Sequence, residues 1–143
     1  VLPTRRGYTE IGRTWRDGDR VELDLPMPPC RVYGDPRVRH DAGRVALMRG
    51  PLVYCLEQKD NGRDLNALSL PRKAAIRARH EGSLLGGVTT LTAEAVRDQP
   101  FAAGELYRSL RPESRPRRIR AVPYYAWANR GEGEMTVWIR ESR

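Results

Sequence analysis

Side chains that could act as catalysts or metal ligands are few and scattered in this chain of 143 residues. The two histidines, His40 and His80, stand alone, and the two cysteines, Cys30 and Cys55, lack metal-ligand spacing. The sequence contains no nucleophile elbow, phosphate-binding loop or paired-histidine zinc motif. These residues therefore predict no catalytic, cofactor or metal site. Cys55 lies in the apolar run LVYCL and is expected to be a buried small hydrophobe.

Paired carboxylates are the remaining route to chemistry, because hydrolysis of a glycosidic bond uses two carboxyl groups about 5–10 Å apart. The candidates that the sequence offers are Glu22, Asp24, Glu57, Glu132 and Glu134. The first two fall on the polar face of a predicted strand, and the last two fall in a predicted turn. Their spacing gives no reason for any two to converge, so none is predicted to be a catalytic acid or base.

Four aromatic residues near the end of the chain allow two interpretations. Tyr124, Tyr125, Trp127 and Trp138 belong to two apolar segments, 122–128 and 135–139, around a polar joint that contains glycine. This outline predicts a closing β-hairpin over residues 122–140. Exposed Tyr and Trp rings could stack on sugars, whereas buried ones would pack in a core or at a domain interface. Because at least one face of a hairpin must be buried, core or interface packing is favoured over sugar stacking.

Short alternating apolar segments elsewhere predict an all-β chain. Residues 8–15 and 20–25 form an apparent hairpin around the turn Arg16-Asp17-Gly18-Asp19, and the prolines of PMPP at 26–29 then break the pattern. Residues 52–57 are apolar on both faces, which predicts a central strand. Residues 97–118 contain several prolines and are predicted to be a long surface connection. Further strands are predicted at 31–33, 44–48, 74–80, 88–92, 119–128 and 135–140, and residues 65–70 are weakly apolar. Many short strands at regular spacing favour an antiparallel β-sandwich of jelly-roll type.

The net charge of +8 raises the question of nucleic-acid binding. The arginines are spread along the chain, and the one dense cluster, Arg115, Arg117, Arg118 and Arg120, has no interleaved aromatic residue for base stacking. A solvated strand edge is the favoured interpretation. Without a run of about 20 apolar residues, no membrane span is predicted either.

Three phrases, taken together, resemble a known family. They are WRDGDRVELDLPMP at 15–28, RVALMRGPLVYCLE at 44–57 and AVPYYAWANRGEGEMTVWI at 121–139. In this order they resemble the C-terminal region of β-L-arabinofuranosidase-like glycoside hydrolases of family 127. The resemblance extends over nearly the whole chain and is weakest through residues 97–118.

The resemblance implies a division of labour between domains. In such enzymes an (α/α)6 barrel carries the chemistry, with a zinc-held cysteine nucleophile and a glutamate acid/base, and β-sandwich domains follow it. Cys30 and Cys55 match β-domain positions rather than the zinc ligands, so no catalytic role carries over. Residues 1–28 would be the terminal hairpin of a preceding β-sandwich, and residues 29–143 the C-terminal β-sandwich. The chain would then be a fragment of a larger multidomain enzyme.

The expected function is therefore that of a non-catalytic accessory domain of a glycosidase acting on β-L-arabinofuranosides or related plant glycans. The alternative is a carbohydrate-binding module that uses surface Trp and Tyr. The expected partner is the parent catalytic barrel, with a homodimer or a glycan as further candidates, and zinc is expected only in that barrel. A bacterial, cytoplasmic protein is expected. The orphaned first hairpin should either pack on the remaining domain or expose Val21, Leu23 and Leu25.

Overall fold

The computed structural model describes residues 7–143, which are almost entirely β. One four-residue helix, α1 (Gln58–Asn61), and three 3-10 turns (Arg39–Asp41, Leu65–Ala67 and Tyr124–Ala126) interrupt the strands. The strands are β1 (Pro29–Val32), β2 (Arg44–Arg49), β3 (Leu52–Glu57), β4 (Leu68–Pro71), β5 (Arg77–Glu81), β6 (Val88–Asp98), β7 (Ser114–Pro123), β8 (Met135–Thr136) and β9 (Ile139–Ser142). No helix in this part of the chain has the length and hydropathy of a membrane span.

Six of the strands form a closed ring of pairings in the order β2, β9, β4, β6, β7 and β3, with β3 returning to β2. All pairs in the ring are antiparallel except β4 with β9, which is parallel. Three strands attach outside the ring: β1 on β2, β5 on β6 and β8 on β3. The all-β prediction is confirmed. A sandwich of jelly-roll type is not, because a single mixed sheet closes on itself as a barrel.

The barrel interior is filled by aliphatic side chains from every strand of the ring. Small residues lie beside large ones in the core, as a narrow barrel requires. Tyr54, Cys55 and Leu56 are consecutive and all buried, as the two apolar faces of this strand predict. The main cluster contains Val45, Leu47, Tyr54, Leu56, Leu65, Leu68, Leu70, Leu91, Ala93, Ala95, Ile119, Ala121 and Ile139.

The predicted closing hairpin at 122–140 is wrong. β7 ends at Pro123, and the chain then turns into the 3-10 helix at Tyr124–Ala126 instead of continuing as a strand. β8 pairs with β3, and β9 pairs with β2 and β4, so neither returns along β7. Both arms of the supposed hairpin find partners that are distant in sequence, and these long-range pairings close the barrel.

The surface connection predicted at 97–118 is shorter in the structure, because strands occupy both of its ends. β6 and β7 pair from residue 91 to 98 against 114 to 121, so only residues 99–113 connect them. The outer end of this ribbon carries charged residues, which hide the strand pattern in the sequence. Glu94 and Arg118, for example, lie opposite each other and form an ion pair at 3.3 Å.

Only the turn of the predicted first hairpin is present in the structure; its two strands are not. Asp19 N donates to Arg16 O at 3.1 Å, which confirms the turn, whereas residues 9–28 contain no strand. Val21, Leu23 and Leu25 are exposed by 60%, 79% and 66%. Exposure was one of the two predicted outcomes, and it follows because these residues have no sheet partner in the described chain. Residues 1–6 of this predicted unit lie outside the described residues, and the domain division at residue 28 stays a prediction.

Candidate functional site

The strongest candidate site is the loop that follows β7, residues 124–130, which we call the aromatic loop. Tyr124, Tyr125 and Trp127 are exposed by 45%, 66% and 41%, so they are not core residues. Trp138 is half-buried. Pro123 has an extended backbone and lies just before the 3-10 helix, which turns these rings away from the sheet.

Two of the rings are ordered against each other. Tyr124 and Trp127 stack with their centroids 6.1 Å apart and their planes inclined by 22°. Trp127 N donates to Tyr124 O at 3.1 Å, which closes the 3-10 turn beneath the rings. Offset parallel rings that stay half exposed make an apolar surface suited to another ring or to the aliphatic face of a ligand.

A buried ionic clamp fastens the aromatic loop to the barrel. The Arg130 guanidinium hydrogen bonds to both Glu57 and Asp60, and these three side chains are only 6–11% exposed. The backbone N of Ala128 donates to Glu57 Oε1 at 3.1 Å, and Lys59 Nζ donates to Arg130 O at 2.6 Å. The loop is therefore held at several points rather than left to fluctuate.

The clamp strongly favours the charged form of its arginine. The Asp60 hydrogen bond raises the pKa of Arg130 well above its ordinary value, and the Glu57 hydrogen bond adds to this against the effect of burial. An arginine in such a site is always protonated. The guanidinium of the clamp thus stays charged over the whole neutral pH range.

The ionic network continues along β7. Asp60 Oδ1 also accepts from Arg120 at 3.2 Å, and Arg120 pairs with Glu81 on β5. A hydrogen bond from the Thr90 hydroxyl lowers the pKa of Glu81, and Arg120 lowers it further. Asn61, only 1% exposed, ties α1 to β7: its amide donates to Glu57 O and Arg120 O, and its Oδ1 accepts from Arg120 N, all at 2.9 Å.

The carboxylates considered from the sequence are not brought together as a pair of catalysts. Glu57 is occupied by the clamp, and Glu134 accepts hydrogen bonds from the backbone N of Asp64 and Leu65 at 3.0 and 2.9 Å. Those two bonds hold the pKa of the Glu134 carboxyl below its usual range. Glu22 and Asp24 lie on the exposed segment before β1, and Glu132 is exposed.

The histidines and cysteines are likewise separate. His40 and His80 are exposed, on a 3-10 turn and on β5. Both cysteines are free thiols; Cys30 is exposed, and burial raises the pKa of Cys55 to about 12. Among the described residues, no group of three His, Cys, Asp or Glu side chains could hold a metal ion.

Sequence reasoning missed the clamp. A signal was present: Glu57 ends an apolar strand, so its carboxylate needs a counter-ion if that end is buried. The partner, Arg130, is 73 positions away, and no local pattern connects the two.

Comparisons with known proteins agree with this β-rich architecture. The sequence model of the glycoside hydrolase family 127 C-terminal domain matches residues 29–140. The chain belongs to glycoside hydrolase family 127. Within that family it is similar to the "Non-reducing end beta-L-arabinofuranosidase" of Bifidobacterium longum, with 44% identity over 131 residues.

Solved structures of the family share the fold. A family 127 β-L-arabinofuranosidase from Geobacillus stearothermophilus T6 matches 82% of this chain with 52% identity and a TM-score of 0.79. A second family 127 β-arabinofuranosidase matches 99% of it with 35% identity and a TM-score of 0.84. The match to the Bifidobacterium relative covers 86% of this chain but only 20% of that protein. The matches to the two solved structures cover 19% and 22% of those chains. It thus spans about a fifth of the length of these relatives.

Proposed function

We propose that this family 127 domain is a non-catalytic accessory module that supports a separate catalytic domain acting on β-L-arabinofuranosides or related plant glycans. The observation that carries the proposal is the extent of the match: this chain corresponds to the C-terminal domain of the family and to about a fifth of the arabinofuranosidases that it resembles.

The structure offers two surfaces for contact with the proposed catalytic partner. The aromatic loop presents three half-exposed rings on a backbone held by the clamp, and the segment before β1 exposes Val21, Leu23 and Leu25. Exposed apolar groups of this kind are typical of protein contact surfaces. In this proposal the rings of the aromatic loop are domain-interface anchors.

The cofactor in this proposal belongs to the partner domain. The cysteines of this chain do not fit a zinc site. Cys55 is buried with its pKa raised to about 12, and Cys30 is on the surface and belongs to no group of three potential ligands among the described residues. Zinc would therefore be held by the (α/α)6 catalytic barrel. We further propose a cytoplasmic bacterial enzyme, with homodimerisation as an additional role of the domain.

A carbohydrate-binding surface is the second candidate function. The exposure of Tyr124, Tyr125 and Trp127 on one short loop favours it, since stacking on a sugar requires accessible rings. The two functions differ in their occupant: a protein surface would bury all three rings, whereas a sugar chain would cover their outer faces only.

A turnover assay of the isolated chain tests the first proposal. The chain is incubated with a chromogenic β-L-arabinofuranoside, zinc and a reductant, and the intact Geobacillus relative serves as the positive control. No release of the chromophore above the uncatalysed rate is expected. Turnover that co-purifies with the chain and is abolished by heat would contradict the accessory role.

A further inference from the structure

An open cavity of about 530 Å³ is lined by none of the residues discussed so far as functional. It is formed where the loop between β1 and β2 passes over the start of β2 and the end of β9. Its polar side chains come from Tyr33, Asp35, Asp41, Arg44, Arg72 and Glu141. This volume falls within the range of small-ligand sites.

Glu141 forms a preorganised wall of the cavity. Its side chain is only 7% exposed, and it accepts hydrogen bonds from Tyr33 Oη at 2.8 Å and Arg72 Nε at 2.7 Å. Burial opposes its ionisation, but these two bonds hold the pKa of the Glu141 carboxyl below its usual range. Behind it, Arg31 Nη1 lies 3.6 Å from Glu141 Oε1 and is buried without a hydrogen-bond partner. The bonds fix the positions of Tyr33 and Arg72 at the cavity.

The Asp41 carboxylate is a hydrogen-bond acceptor in the cavity that other side chains leave available. It is half-buried and lines the cavity, yet its carboxylate makes no hydrogen bond or ion pair with any described residue. Gly34 lets the backbone pass close to Asp41, because a Cβ at that position would lie only 3.1 Å from Asp41 Cβ. A half-buried carboxylate without a partner can accept two hydrogen bonds from a ligand at little cost in protein reorganisation.

The mixture of groups identifies the ligand class. The cavity offers an acceptor at Asp41, donors at the Nη atoms of Arg72, and a Tyr33 ring that is 55% exposed although its hydroxyl is fixed. Carboxylates and guanidinium groups both occur, so the site carries no large charge of one sign that would select an ion. A metal ion is not favoured, since no three potential ligands group together in the described chain.

We propose that this cavity binds a neutral saccharide, with adjacent hydroxyl groups on the Asp41 carboxylate and the C–H face of the ring against Tyr33. Vicinal hydroxyls match the two carboxylate oxygens, and an amphipathic phenol ring suits a sugar face. The site is distinct from the aromatic loop and goes beyond the accessory role. Only the choice of L-arabinose as the first probe rests on the proposed function.

The test is an NMR titration of the isotope-labelled chain with L-arabinose, then with D-galactose, inorganic phosphate and calcium chloride as separate probes. We expect neutral sugars to shift the amides of Tyr33, Asp41 and Arg72, with a dissociation constant on the order of 1 mM. The D41N variant should weaken binding by about tenfold, since it replaces a charged acceptor. The matched control, D24N, changes an exposed aspartate outside the cavity and should bind as the wild type does.

Several results would overturn the site. They are shifts with phosphate or calcium alone, equal binding by D41N and the wild type, shifts confined to the aromatic loop, and no shift with any neutral sugar. A result of this kind leaves the accessory role standing, because that role is tested by turnover and by domain replacement. The Asp41 carboxylate makes no hydrogen bond or ion pair with a described residue, and Asn has nearly the same shape, so D41N should give a folded spectrum.

Discussion

Replacing Arg130 with methionine should be one of the most destabilising single changes outside the barrel core. The variant keeps an unbranched apolar stem but removes the guanidinium that bonds to Glu57 and Asp60. Asp60 retains Arg120 at 3.2 Å, whereas Glu57 keeps only the backbone N of Ala128. The change therefore leaves one carboxylate, with a side chain only 6% exposed, without a counter-ion.

The magnitude follows from that unpaired charge. Breaking a buried ion pair from one side costs about 3–5 kcal/mol, and we take the lower value of about 3 kcal/mol because Asp60 keeps a partner. With a urea m-value of about 2 kcal/mol/M, the unfolding midpoint should fall by about 1.5 M. The exposed pair of Arg37 with Asp35 provides the control, and R37M should leave the midpoint unchanged.

The assay is equilibrium unfolding in urea followed by tryptophan fluorescence and, separately, by far-ultraviolet circular dichroism. The double variant E57Q/R130M decides the cause, since neutralising Glu57 should restore part of the lost stability if the unpaired charge is responsible. A loss below about 1 kcal/mol in R130M would show that the clamp contributes no more than a surface ion pair does. No recovery in the double variant would point to lost packing instead.

Four further outcomes follow from the same contacts. N61A should lower the free energy of unfolding by about 3 kcal/mol in urea melts, since three hydrogen bonds from the buried Asn61 side chain to backbone groups are lost. A thiol reagent should label Cys30 alone in the folded chain and both cysteines in urea, because burial raises the pKa of Cys55 to about 12. The melting temperature should fall as the pH drops below about 4.3, the pKa of an unfolded glutamate. The cause is the lowered pKa of Glu141 in the folded chain, since this carboxyl stabilises the fold only while it is ionised. E141Q should show a shallower fall in the same series of melts. W127A should melt within a few degrees of the wild type, since the ring is 41% exposed.

Each of these has a result that would contradict it. They are an N61A loss typical of a surface change, labelling of both thiols before unfolding, pH profiles for the wild type and E141Q that run parallel, and a W127A variant that fails to fold. The last would mean that the ring supports the core.

Local patterns in the sequence were sufficient to predict strands that are apolar on both faces or that alternate clearly between apolar and polar residues. β3 has the predicted bounds, and β2 extends the predicted segment by one residue. The extensions of β6 and β7 were missed because their outer residues are charged and paired across the ribbon. Alternation of apolar residues cannot reveal a strand whose stability comes from cross-strand pairs at a solvated edge.

The closure of the barrel and the candidate sites depend on contacts that are distant in sequence. Two apolar segments on either side of a joint that contains glycine have the pattern of a hairpin. The strand in the second segment, β9, instead pairs in parallel with β4. The exposure of the aromatic residues was not the favoured prediction, because Tyr124–Ala126 adopts a turn rather than a strand. The saccharide cavity draws on Tyr33 and Glu141, which lie 108 positions apart. No local motif predicts such a pair.

Domain replacement in the Geobacillus relative tests the accessory role most directly. Three forms are compared for β-L-arabinofuranosidase activity and heat stability: the intact enzyme, the enzyme without the C-terminal region that matches this chain, and a chimera carrying this chain in its place. We expect the truncated form to lose activity or stability and the chimera to regain it. A truncated enzyme as active and as stable as the intact one would contradict the proposed support of a catalytic domain.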